Sequence, residues 1–195
     1  YLQKLGFDVD FVKTLDNGKV DIEHLKSLIR DDTILVSITA VNSEIGIIEP
    51  VEEIGKVLRD YPKIFYHVDM TQCVGKMKLN LKDIDLASFS AHKFFGIKGI
   101  GVLVKKENIN IEPIIHGGKS QTIYRSGTPT HAMYASFAKA LKLVLENSED
   151  KYNYVLKLNK RIREELETMN DIHINSNLEC IPHILNISIL GIKPE

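Results

Sequence analysis

Short apolar runs that alternate with helical stretches constrain this chain more than any other feature. Ile34–Thr39 (ILVSIT), Ile64–Asp69 (IFYHVD), Ile84–Ser90 (IDLASFS) and Gly101–Val104 each have strand length and an apolar bias. Val51–Arg59, opened by Pro50, reads as the helix that carries the chain from the first of these to the second. Upstream, Asp21 is placed to cap a helix running to about Arg30, and Phe7–Val12 (FDVDFV) alternates like a half-buried strand. Strands taking turns with helices build an α/β fold around a mostly parallel sheet. The pattern changes at His131. Residues 131–146 form an amphipathic helix, residues 149–169 a longer one rich in Lys, Arg and Glu, and Ile172–Asn175 and His183–Leu190 read as strands. The chain therefore divides into a sheet domain, 1–147, and the start of an α+β domain, 148–195.

A length of 195 residues supports one good core, or one domain and part of another. With 44% hydrophobic and 26% charged residues the composition is that of an ordinary globular protein. A net charge of -1 gives no basic surface for nucleic acid or an anionic membrane, and no apolar run approaches the length of a membrane span. Cys73 and Cys180 stand far apart, which is no disulfide framework and suits a reducing cytosol. The chain opens on Tyr1 and closes on Lys193-Pro194-Glu195 just after an apolar run, which reads as a piece of a longer protein.

In open α/β sheets ligands sit beyond the carboxyl ends of the strands. Polar groups collect at such ends here: Asn42-Ser43-Glu44 after ILVSIT, Asp69 with Thr71 and Gln72 after IFYHVD, and Ser90, His92 and Lys93 after IDLASFS. An acid at one strand end and a lysine at another suit pyridoxal phosphate (PLP). That cofactor needs an amine to take its aldehyde and a carboxylate to keep its pyridine nitrogen protonated. Its phosphate needs hydroxyl and imidazole donors of the kind Ser90 and His92 supply. Phe94-Phe95, directly after Lys93, would partly desolvate the amine and sharpen it as a nucleophile. Gly96, Gly99 and Gly101 let the chain turn back to the sheet.

The stretches SITAVNSEIGIIEPVEEIG, YHVDMTQCVGK, SFSAHKFFGIKGIGVL and HGG…YRSGTPTH, in this order, resemble the class V aminotransferase family of fold-type I PLP enzymes, and among them the cysteine desulfurases of the NifS/IscS kind. The resemblance covers nearly the whole chain. It implies a three-layer large domain, of which this is the second half, followed by the opening of the small domain. It implies a reaction that takes sulfur from L-cysteine, leaving alanine and an enzyme persulfide for iron–sulfur cluster assembly or tRNA thiolation. Carried onto this sequence, it makes Lys93 the Schiff-base lysine and Asp69 the partner of the pyridine nitrogen. Gln72 would bond the ring hydroxyl, and Ser90 and His92 the phosphate. Thr128, in RSGT, would reach the phosphate of a partner subunit's cofactor, which implies a homodimer. A cytoplasmic enzyme that hands sulfur to an acceptor protein is the whole picture.

The chain departs from that pattern in places. Ser43 stands where the family has the cofactor-facing Asn of Asn-Asn-Glu, and Gly117-Gly118-Lys119-Ser120-Gln121-Thr122 replaces a Gly-Gly-Gly-x-Glu-Arg stretch. Neither Cys73 nor Cys180 stands where the family's persulfide cysteine does, so the 195-residue chain is expected not to complete sulfur transfer by itself. Alternatives are another class V enzyme, such as a selenocysteine lyase or small-amino-acid aminotransferase, and a non-catalytic scaffold that binds a sulfur acceptor. His67, on the strand face of Asp69, reads as a hydrogen-bonded strand histidine; no metal site is expected, and Lys98 reads as a surface charge.

Overall fold

The computed structural model describes residues 1–118 and 122–193. Lys119–Gln121, part of the stretch that departs from the family pattern, lies outside the described residues, as do Pro194 and Glu195. The elements are α1 (Ile22–Leu28), β1 (Leu35–Thr39), α2 (Val51–Leu58), β2 (Phe65–Asp69), β3 (Leu86–Ser90), β4 (Gly101–Lys105), α3 (His131–Leu145), α4 (Ser148–Leu166), β5 (Ile172–Ile174) and β6 (Ile187–Ile189). None of the described helices is long and apolar enough to cross a membrane.

The first sheet runs β1-β2-β3-β4 in space as in sequence. β1, β2 and β3 are parallel, with Thr39 beside Asp69 and Asp69 beside Ser88. β4 returns antiparallel to β3 and sets Gly101 opposite Ser90. The return needs a tight turn, and Gly99 supplies it with φ +93°, a conformation that side-chain-bearing residues rarely adopt.

Strand alternation decides which face is apolar. Val36, Tyr66, Val68, Ala87 and Phe89 point to one side, where α2 packs through Val51, Ile54 and Leu58. The spacing of those helix residues puts them on one stripe. The Tyr66 hydroxyl donates to the Val51 carbonyl at 3.1 Å, so a fully buried phenol loses no hydrogen bond. α3 closes the same side with Phe137, Ala140, Leu141 and Val144. Its Phe137 ring lies 5.5 Å from Phe94 and 5.9 Å from Phe89, centroid to centroid. Phe94 is 1% exposed, so Phe94→Ala leaves a ring-sized cavity and costs roughly 3–5 kcal/mol. Urea unfolding of the variant checks this; a loss below about 1 kcal/mol would show that the aromatic cluster does not hold the turn in place.

Beyond the bend at Asn147 (φ 53°), α4 carries a buried cation, Arg163, that pairs with no carboxylate among the described residues. Arg163 donates to the Asn159 side chain at 2.7 Å and to the Ser176 carbonyl at 2.8 Å, while Asn159 holds the Pro182 carbonyl at 3.0 Å. This network ties α4 to the irregular segment before β6. Ile181, in that segment, is buried in the first core and its N–H donates to the Gly46 carbonyl at 2.8 Å.

Two strand expectations fail. Phe7–Val12 forms no strand: no described strand lies beside it, and Phe11 is 82% exposed. The segment is held instead by an Arg30–Asp10 ion pair and by the bond from Lys13 N to His24 Nδ1, 3.1 Å. Over His183–Leu190 only Ile187–Ile189 pairs, with β5, because the residues before it are drawn onto the first core. The α1 expectation holds in detail, with the Asp21 carboxylate accepting from His24 N at 3.0 Å.

Candidate active site

The second face of the sheet is graded along the strands. Leu35, Phe65 and Leu103 on that face are about half exposed, while Ser37, His67, Asp69, Ser88 and Ser90 take over toward the carboxyl ends of β1, β2 and β3. His67 ties the three strands together. Its Nδ1 lies 2.8 Å from Ser37 Oγ and its Nε2 3.0 Å from Ser88 Oγ. Burial pushes the His67 pKa down, with nearby Asp69 pulling the other way. A neutral imidazole between two hydroxyls is the hydrogen-bonded strand histidine expected from the sequence.

Asp69 closes β2. Its Oδ1 accepts from Thr71 N at 2.8 Å, which turns the chain sharply as β2 ends and brings Gln72 round to the same end of the sheet. Among the described residues Oδ2 has no partner. Ser90 ends β3 and begins the 3-10 turn Ala91–Phe94, but its hydroxyl makes no capping bond and remains available. The residue opposite is Gly101, and a Cβ there would lie 3.5 Å from Ser90 Oγ and 3.1 Å from the Phe89 carbonyl. Glycine thus keeps the space beside the hydroxyl open. His92 and Lys93 stand exposed on the turn, while Phe94, the next residue, is driven into the aromatic cluster. The turn is therefore anchored from below and presents its polar residues outward. Phe95 does not behave as expected. It sits in the left-handed region with φ 67° and is 95% exposed, so it does not bury Lys93, and only Phe94 of the pair is buried beneath the turn.

Gln72 and Lys93 are connected through a residue that nothing in the sequence analysis singles out. Lys76 Nζ donates to Gln72 Oε1 at 3.1 Å, and Lys76 shares with Lys93 the wall of a cavity of about 430 Å³. Its spacing of four from Gln72 is the sequence signal that could have found it. His183 and, on α4, Asp150, Lys151 and Tyr154 line the same cavity. Ser43 is exposed on the turn after β1, where its hydroxyl donates to Glu44 at 3.2 Å while Asn42 spends its side-chain oxygen on the N–H groups of Glu44 and Ile45. Thr128 is exposed on the loop before α3. Neither makes a hydrogen bond to Asp69, Gln72, Ser90 or Lys93 in this single chain. Cys73 is fully buried and its thiol is pushed up to about 12 by burial; Cys180 is 7% exposed and raised for the same reason. Among the described residues no three His, Cys, Asp or Glu side chains cluster as a metal would need.

A mostly parallel sheet with a lysine turn at its carboxyl edge defines an α/β unit of the fold-type I PLP enzymes. A solved NifS-like protein superposes on 98% of the chain and 53% of its own length with a TM-score of 0.94 at 36% identity. The profile of "Aminotransferase class-V" matches residues 2–195, and the chain belongs to that PLP-dependent family. It is similar to "Cysteine desulfurase IscS" of Buchnera aphidicola subsp. Baizongia pistaciae, 40% identical over 201 residues that span 100% of this chain and 49% of the relative. It is equally similar to a "NifS/IcsS protein homolog" of Lactobacillus delbrueckii subsp. bulgaricus, 40% identical over 199 residues, 100% of this chain and 52% of the relative. The chain thus spans about half the length of the curated relatives it matches.

Proposed function

We propose that this chain carries the cofactor-holding part of a cysteine desulfurase that acts on L-cysteine as a cytoplasmic homodimer and passes sulfur to an acceptor protein. The observation that carries the reading is that Asp69 and Ser90 end β2 and β3, with Gln72 and Lys93 directly after them, in a chain similar along its whole length to cysteine desulfurases.

The donor set fits PLP. Lys93 has a free amine on an anchored turn for the cofactor's aldehyde carbon. Asp69 keeps Oδ2 for the protonated pyridine nitrogen while Oδ1 holds Thr71. Gln72 offers its NH2 end to the ring hydroxyl, because Lys76 occupies the other end. Ser90 and His92 would bind the phosphate, Ser90 with the space that Gly101 leaves beside it. Thr128, exposed on its loop, would serve the partner subunit's phosphate, and Ser43, exposed after β1, would face the cofactor. When bound, the cofactor supplies an electron sink for the bonds broken at the substrate's carbons. Lys93 would also serve as the base that moves the proton at the substrate's carbons.

Sulfur leaves the substrate as a formal S⁰ taken up by a nucleophilic thiolate. The two cysteines here are buried and hold their protons, so neither takes that role. The 195-residue chain, given PLP, L-cysteine and a reductant, is therefore expected to release no sulfide above free PLP, while the whole protein forms alanine and sulfide together. Methylene-blue sulfide assay and amino-acid analysis read both. Robust sulfide from the chain alone would overturn the exclusion of Cys73 and Cys180. Absence of alanine from the whole protein would overturn the desulfurase reading.

A further inference from the structure

Lys76 is a half-buried ammonium that pairs with no carboxylate among the described residues. A desolvated charge needs a strong acceptor, and its hydrogen bond goes to Gln72 Oε1 at 3.1 Å. Burial and nearby Lys93 both push the Lys76 pKa down. The bond has a consequence for Gln72. An amide has one acceptor end and one donor end, and the acceptor end is spent on Lys76. What Gln72 can turn toward the site is its NH2 group.

We propose that Lys76 is a positioning residue, which pins the Gln72 amide so that it meets the cofactor's ring oxygen only as a donor. The inference rests on the roles given to Lys93 and Gln72 above. The cation on Oε1 polarises the amide and strengthens its N–H groups as donors, which favours the anionic form of the ring oxygen. The same ammonium stands beside Lys93 and repels a second positive charge there. Both effects move the protonation midpoint of the bound cofactor's visible band to lower pH. Among the described residues, the other charged and titratable groups facing Lys76 are Asp150, Lys151, Tyr154 and His183 on the cavity wall, and Cys73 on its own segment. They are common to the wild type and the variants, and so cancel in a comparison.

The test is a pH titration of the visible band in the whole holoprotein. Lys76→Met is expected to raise the midpoint by about one pH unit and to weaken cofactor binding roughly 10-fold, the size of a lost charge-assisted bond. Lys76→Arg is expected to restore most of both. In a Gln72→Ala background, Lys76→Met should shift the midpoint by less than half as much, because the amide it orients is gone. Should Lys76→Met not fold, Lys76→Gln is titrated instead, with the same readings. An unmoved midpoint, with borohydride still fixing the cofactor on Lys93, overturns the inference and leaves the site reading intact. Failure of borohydride to fix the cofactor on Lys93 in the wild type overturns the site reading, and the inference with it.

Discussion

Lys93→Ala abolishes the borohydride-stable link between protein and cofactor and lowers turnover by roughly 10⁴-fold or more, the scale on which removal of a covalent nucleophile falls. The expectation is specific to this lysine because of where the turn holds it. Ser90 ends β3 at the carboxyl edge of the sheet, and Phe94 plugs the aromatic cluster under α3. His92 and Lys93 are thereby fixed at the sheet edge with their side chains outward. Lys98, exposed on the return toward β4, shares the motif but not the anchor, and Lys98→Ala is expected to leave the link and the turnover unchanged. Peptide mapping after reduction identifies the modified lysine. A Lys93→Ala protein that keeps covalent cofactor and full turnover would refute the assignment.

Asp69→Asn separates the charge of this residue from its structural duty. Asparagine keeps an oxygen for Thr71 N, so the turn after β2 survives and stability changes by no more than about 0.5 kcal/mol. What is lost is the anion that would hold the pyridine nitrogen protonated. Turnover is expected to fall roughly 10²–10³-fold, the magnitude of a removed preorganised electrostatic partner. Steady-state kinetics with parallel urea unfolding read the two effects separately. A turnover loss of only a few-fold would show that Asp69 is a turn-former and nothing more.

Much of this arrangement is legible in the residues. Asp21, Asp69 and Asn42 each bond to an N–H two or three positions on, so their roles follow from side chain and spacing. The strand ends at Thr39, Asp69 and Ser90 follow from where apolar alternation stops. Phe94 and Phe95 were not separable. They are the same residue type at adjacent positions, yet one is 1% and the other 95% exposed. The split arises because the chain leaves the 3-10 turn in the left-handed region at Phe95, which sends its side chain away from the cluster that receives Phe94.

The sequence by itself determined the local events: the strands and helices of the first sheet from β1 to β4, where capped turns begin, and which functional types stand at the strand ends. Those depend on contacts within a turn or two of chain. Only the tertiary structure decided which neighbours the elements found. It left Phe7–Val12 without a strand beside it and drew residues ahead of β6 onto the first core through Ile181. It joined Ser37, His67 and Ser88 in one row and put Lys76 on the same cavity wall as Lys93. Such pairings join groups far apart in sequence, and burial rather than periodicity gives them their strength.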